Sequence, residues 1–395
     1  MRTIKVGLDV GNSAVKGNIL SDKNAIIQDV LIPSAINTIS DVKFLSFATD
    51  KTQYIQILDS VLEHPTDIIA IGQNAIDLPN YQQFDVDTTS YKTNHEITTS
   101  LLFGVIAEAI KAGESEIDVI LAVSIPIVES KTFNLTKNYQ NLLVGRHVIR
   151  IYTDGQQRDV TINISSAQVL NEGQAGFLGL LDTVDKDFKK AMDTLYKELG
   201  EEPNAITTLE DFLVVDIGEG TTDLAVFRNK RFNQEYSYSI TKGYGNILES
   251  SMSKAEREGL TIESRKQLQS LLSSTNKRRQ SQKALWAEYV DVERRDYVDE
   301  VVQTVLKTYG RQSYFDAIIF LGGGFSALTG YTISEEGKIS MTDSYLFDEL
   351  ERVLDKNRKT VDLLFGIPEP HSQSINNRGL MQILSAHIPK IPKKN

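Results

Sequence analysis

The sequence predicts an α/β protein made of two similar halves. Three features carry that prediction. A buried strand near the start runs into an Asp-x-Gly turn, GLDVGNSAVKG over 7–17, and a second stretch, VVDIGEGTTDL over 214–224, repeats the arrangement. A third buried strand runs into a row of glycines in IIFLGGGFSAL, 318–328. Asp9 and Asp216 lie 207 residues apart at equivalent places of the first two stretches, the pattern an internal duplication leaves. With 395 residues the chain is long enough to build two cores.

The elements follow in order. Residues 4–9 alternate and then turn apolar before Gly-Asn-Ser, which predicts a strand delivered to a turn; 14–20 and 25–32 complete a meander. From Asn37 to about Tyr91 the sequence is polar and irregular around the apolar run 67–72, which predicts a small inserted subdomain. Leu101, Leu102, Val105, Ile106, Ala109 and Ile110 repeat at helical spacing within 98–112, and 118–125 is a buried strand ending at Pro126. VLNEGQAGFLGLL, 169–181, reads as a turn opening an apolar helix. The charged stretch 185–210 reads as solvated helix and loop at a domain boundary. Strands over 212–216 and 222–227, a helix-rich charged region over 244–311, the strand 317–321 and a closing helix over 376–384 finish the chain. Pro389 and Pro392 exclude a continuous amphipathic helix at the end.

Composition narrows the chemistry. A formal net charge of −11 opposes direct attraction to nucleic acid, so any link to DNA is expected to run through a partner protein. There is no cysteine, hence no disulfide, thiolate metal site or cysteine nucleophile, and the five histidines show no ligand spacing. The first residues carry no leader pattern and no apolar run approaches membrane-spanning length. A cytoplasmic location and no membrane anchor are expected.

Residue types then suggest phosphate chemistry. Glycines let backbone N–H groups come close to phosphate oxygens, and hydroxyls add donors without cancelling charge. Gly11, Asn12 and Ser13 in the first turn, and Gly218, Gly220, Thr221 and Thr222 in the second, fit that purpose. Bare aspartates repel phosphate, so Asp9 and Asp216 imply Mg²⁺ held through water, as suits a hard cation bound by one or two carboxylates. Lys16 offers a point charge to a phosphate oxygen. Gly322, Gly323 and Gly324 would let a sugar and base lie flat on the backbone. Taken singly, an Asp-x-Gly is also an ordinary hairpin turn and a glycine row also a tight connection; the ordered set argues for the site.

These three elements in this order resemble the actin-like ATPase superfamily across nearly the whole chain. The resemblance is narrower to the plasmid-segregation actins, the ParM-like group, on VLNEGQAGFLGLL, GYGNILESS after the second hairpin and SINNRGLMQIL near the end. It implies a duplicated, ribonuclease H-like fold: two domains with mixed five-stranded sheets flanked by helices and a nucleotide cleft between them. Domain I would take 1–170 and 374–395, with the inserted subdomain over 37–95; domain II would take 171–373, with a helical subdomain over 246–312. Segments 170–181 and 374–384 would be the hinge helices. Glu172 would orient the attacking water, with Asp216 the second catalytic residue and Gly243 on the ribose edge. A Glu opening a helix also suits the helix dipole alone.

The resemblance further implies ATP, with GTP as the alternative, and Mg²⁺. It implies self-association into filaments, hydrolysis coupled to polymer dynamics, and a DNA-binding adaptor at a centromere-like site. A sugar or acyl kinase of the same fold, with Glu172 or Asp223 as base, and a regulatory or cell-division ATPase are the other readings. The basic run 277–283 with Arg294 and Arg295 reads as a solvated helical face, and Trp286 as a packing residue.

Overall fold

A computed structural model of the chain describes all residues except 40–53, 85–90, 133, 154–155, 310–313 and 387–395. The chain forms two compact units, Met1–Asp182 with Ser374–Asn395 and Thr183–Gln373.

The first unit grows from β1 (Arg2–Val10), which pairs antiparallel with β2 (Ala14–Ser21); β3 (Ile26–Pro33) pairs antiparallel with β2. The sheet continues through β4 (Ala35–Ile39), β5 (Tyr54–Asp59), β6 (Ile68–Ile71) and β7 (Gln82–Gln83), with the short helix α1 (Gln73–Ile76) between the last two. Helix α2 (Glu96–Glu108) precedes β8 (Glu116–Ile125), and α3 (Ile127–Ser130) and α4 (Leu135–Leu143) precede β9 (Gly145–Thr153), β10 (Gln156–Asn171) and α5 (Glu172–Leu180). Strand β8 lies parallel to both β1 and β10. The full order is β3-β2-β1-β8-β10-β9-β5-β6-β4-β7.

The described part of the expected insert is therefore no separate layer. It extends the main sheet through β9, because β5 pairs antiparallel with β9 and β6 with both β5 and β4. Residues 40–53 and 85–90 of that expectation lie outside the described residues. Helix α2 is buried on every side from Ile97 to Ala107, so it reads as apolar all round instead of amphipathic. It packs with Ile4, Val6, Leu8, Leu121 and Val123 in one core. Each large apolar side chain so removed from water contributes about 1.5–3 kcal/mol.

The second unit repeats the plan. After α6 (Lys186–Glu198), β11 (Phe212–Ile217) pairs antiparallel with β12 (Thr222–Arg228), to which β13 (Arg231–Phe232) and β14 (Tyr238–Ile240) add. Helices α7 (Tyr244–Arg257), α8 (Arg265–Leu272) and α9 (Gln280–Tyr309) follow, then β15 (Tyr314–Leu321) and α10 (Gly323–Thr329). A small hairpin of β16 (Thr332–Ile333) and β17 (Ile339–Ser340), α11 (Tyr345–Lys356) and β18 (Thr360–Gly366) end the unit. Strand β15 lies parallel to β11 and β18. The pairing senses of β3-β2-β1-β8-β10 thus recur in β14-β12-β11-β15-β18, which is the duplication in three dimensions. Trp286, 2% exposed, belongs to the buried core of this unit, with its ring centroid 6.2 Å from that of Tyr289.

Three expectations need correction. The segment 185–210 is not simply solvated: Asp185 caps α6 by accepting the N–H groups of Asp187 and Phe188, and Phe188, Ala191, Met192 and Leu195 are buried. Residues 169–171 still belong to β10, and the helix opens at Glu172 because the Asn171 side chain accepts the Gln174 N–H. Helix α5 stays with the first unit, so the division falls after Asp182. The reason is α12 (Ile375–Ala386), which crosses α5 so closely that a Cβ on Gly179 or Gly379 would run into the other helix's backbone. Ala175, Leu380 and Leu384 then seal the face of β8 opposite α2.

Candidate functional site

The first hairpin turn, residues 11–14, closes on the Gly11 N–H donated to the Ala14 carbonyl at 3.1 Å. Ser34, 2% exposed, braces it twice: its hydroxyl donates to the Gly11 carbonyl at 2.5 Å and its N–H to the Ser13 carbonyl at 3.0 Å. Asp9 is buried at the end of β1, where Ser124 on β8 donates its hydroxyl to Oδ1 at 2.8 Å. Lys16 stands directly opposite Asp9 in the β1–β2 register and so shares its face of the sheet. Asn12 is half-buried and its Oδ1 has no hydrogen-bond partner among the described residues, while Ser13 is exposed.

Glu172 opens α5 and is 8% exposed. Lys92 approaches it, Nζ to Oε1 3.5 Å, from a one-turn 3₁₀ segment, Lys92–Asn94. Lys92 also lines a cavity of about 10 Å³ with Thr93, Thr98 and Ser124, room for about one water. The Thr93 and Thr98 hydroxyls there have no hydrogen-bond partner among the described residues.

The second turn, residues 218–221, closes on the same bond, Gly218 N–H to the Thr221 carbonyl at 2.9 Å. Asp216 is 5% exposed, and its partner across the β11–β12 register is Asp223, fully buried and hydrogen-bonded by the Ser239 hydroxyl. Two carboxylates opposed on one sheet face repel each other, and a divalent cation relieves that. Glu219, the counterpart of Asn12, is half-buried with Arg265 3.3 Å from its Oε1; Arg265 also pairs with Glu249 of α7 at 3.1 Å.

Several glycines serve the chain itself. Gly322, at φ 98°, sits where a Cβ would strike the Asp216 carboxylate and the Ile217 carbonyl, and Gly324 where one would strike the Ile217 and Gly218 carbonyls. The glycine row therefore seats the start of α10, where Gly323 is the first residue, against the second turn. Gly243 packs on the Gly218 and Glu219 backbone, and the Tyr244 and Gly245 N–H groups donate to those two carbonyls at 3.0 and 2.8 Å. Thr222 is fully buried and its hydroxyl is spent on the Lys242 carbonyl, 2.9 Å, and the Tyr297 hydroxyl. The alternation of a strand puts it on the face opposite Asp216 and Asp223. Gly218 and Gly220 remain in the turn beside half-buried Thr221.

Each unit thus gathers its predicted residues at one turn, Asp9, Gly11, Asn12, Ser13 and Lys16 in one, and Asp216, Gly218, Gly220 and Thr221 in the other. Sequence reasoning missed Ser34, Ser124, Lys92, Glu129 and Arg265. Only Ser124 left a signal, as the lone polar residue in the buried run VILAVSI. Arg294 is not the expected solvated residue, since it pairs with Asp343 and Asp291, whereas Lys277, Arg278 and Arg279 are exposed. The residues fit a nucleotide with Mg²⁺: glycine turns with polar side chains for phosphate at each hairpin, Lys16 beside the first, and Asp9 and Asp216 for a water-shelled cation. Among the described residues no group of three or more His, Asp or Glu converges as a metal site made by protein alone, and Mg²⁺ needs none when phosphates and water complete its shell.

The family model for the N-terminal domain of actin-like proteins matches residues 7–174. That for the C-terminal domain of the archaeal MreB-like actin homologue matches residues 214–331. The chain belongs to the actin-like superfamily. No curated protein matches it by sequence. Among solved structures it is similar to the actin-like protein Alp7A (TM-score 0.64, 16% identity, 97% of this chain and 96% of that one). It is also similar to a non-polymerisable quadruple mutant of pCBH ParM (0.60, 16%, 96% and 98%) and to Bacillus thuringiensis ParM with ATP (0.55, 16%, 97% and 98%). At such identities the likeness is one of fold, and it runs the length of the actin-like chain. Among the described residues no helix is long and apolar enough to cross a membrane.

Proposed function

We propose that this actin-like protein is a cytoplasmic nucleoside triphosphatase that polymerises when it binds ATP and segregates plasmid DNA through a DNA-binding adaptor. The observation that carries the reading is the pair of equivalent hairpins, each closing on a glycine N–H with an aspartate at the end of the preceding strand. Solved ParM structures with ATP and in non-polymerisable form support the nucleotide and the polymer. Asn12, Ser13 and Lys16 bind phosphate oxygens from one hairpin, whose turn Gly11 closes; Gly220 and Thr221 do so from the other, whose turn Gly218 closes. Asp9 and Asp216 hold Mg²⁺ through water, and the cation neutralises phosphate charge when bound. Glu172 accepts a hydrogen bond from the attacking water and aligns it. The net charge of −11 makes an adaptor the route to DNA.

Light scattering at 90° after addition of Mg²⁺-ATP tests this, with Mg²⁺-GTP and ADP alongside and phosphate release followed in the same samples. The reading predicts a triphosphate-dependent rise followed by slower phosphate release, with the scattering prolonged in Glu172→Ala. A flat trace with phosphate passed to an added metabolite would replace it with a kinase.

A further inference from the structure

We propose that Lys92 is the positioning residue for the Glu172 carboxylate, and that Glu129 fixes Lys92 in place. The inference rests on the reading of Glu172 as the hydrolytic residue. A glutamate at the first position of a helix is held only loosely by the helix dipole, and its three side-chain torsions leave the carboxylate several directions to point. Lys92 restricts that freedom: its Nζ lies 3.5 Å from Oε1, with the two side chains 15% and 10% exposed.

Lys92 is itself braced. The Glu129 carboxylate, 3% exposed, accepts the Lys92 N–H at 2.8 Å and the Thr93 N–H at 3.2 Å. Thr132 donates its hydroxyl to the Tyr91 hydroxyl at 3.0 Å, tying down the residue before. Glu129 lies in α3, reached directly from the end of β8, the strand whose Ser124 holds Asp9. The end of one strand therefore supports two carboxylates, Asp9 through a hydroxyl and Glu172 through a lysine whose backbone is braced. A buried carboxylate spent on two backbone N–H groups is a costly support for an ordinary loop, and it makes sense where the residue so mounted must not drift.

The test uses the full chain with Lys92→Met, Lys92→Gln and Lys92→Arg, Glu172→Gln, and Lys92→Met combined with Glu172→Gln. Phosphate release at saturating Mg²⁺-ATP, nucleotide affinity and melting temperature are measured for each. Methionine and glutamine should lower kcat by about tenfold to a hundredfold, while affinity stays within about twofold. Arginine should restore most of the rate, and Lys92→Met should cost nothing further once Glu172 is Gln. An unchanged kcat in Lys92→Met and Lys92→Gln would overturn the inference, as would a loss of affinity in parallel with rate, which would make Lys92 a phosphate ligand. Full hydrolysis by Glu172→Gln alone would overturn the role of Glu172 and this inference with it, whereas an inactive Glu172→Gln beside a fully active Lys92→Met would overturn the inference only.

Discussion

The two hairpins share a backbone and differ in charge. Both turns close on a glycine N–H donated to the fourth residue, and both follow an aspartate at the same place in the same sheet order. Across the strand pair, however, Asp9 faces Lys16 while Asp216 faces Asp223. At the second turn position the Asn12 Oδ1 has no partner among the described residues, while Glu219 is tied to Arg265. The supports differ as well: serine hydroxyls hold the first turn, and the glycine-rich starts of α7 and α10 press against the second. Duplication preserved the geometry of the turn, and divergence left a lysine opposite the aspartate in one half and a second aspartate opposite it in the other.

The supports give the largest expected difference. Gly322→Ala puts a Cβ into the Asp216 carboxylate and the Ile217 carbonyl at a left-handed φ, and should cost about 3 kcal/mol or more. Gly11→Ala meets only the carbonyl of Ala14 and should cost about 1 kcal/mol. Urea unfolding midpoints compare the two, and equal losses would erase the distinction between the supports. Ser124→Ala leaves a buried carboxylate oxygen of Asp9 short of a donor, and should lower stability by about 1–3 kcal/mol. Added Mg²⁺-nucleotide should recover part of that loss, as a ligand bound only to the folded state must.

The smallest effect is one of pH. His147 is fully buried in the first unit, hydrogen-bonded to the Ser60 hydroxyl and the Leu143 carbonyl, and burial pulls its pKa below the ordinary histidine value. The unfolded chain then binds the extra proton first, so stability should hold above about pH 6.5 and fall below it. The slope should approach about 1.4 kcal/mol per pH unit. His147→Gln should flatten the urea midpoint between pH 6.5 and 5, and a midpoint equally steep in the variant would place the acid sensitivity elsewhere.

Periodicity made β1, β2, β8, α2 and the β11–β12 hairpin legible from runs of residues that are then buried, and β3 legible as a strand although its Ile26, Ile27 and Leu31 are exposed. It did not show that β4 to β7 join the main sheet, since that depends on β9, which lies nearly a hundred residues beyond β5 and pairs with it only in three dimensions. The site divides in the same way. Asp9, Asp216 and the turn glycines form local motifs, whereas Lys92, Glu129 and Ser34 act through contacts that no local pattern encodes. Thr222 and the glycine row matched a ligand-binding motif, yet their hydroxyl and their missing side chains are used inside the unit.

Calorimetric titration of Mg²⁺-ATP into the wild type, Lys16→Ala and Asp216→Asn tests most directly the claim that both hairpins bind phosphate. The account predicts about tenfold weaker binding or more from either substitution, with the loss in Asp216→Asn shrinking when Mg²⁺ is omitted and that in Lys16→Ala persisting. Wild-type affinity in either variant would contradict it.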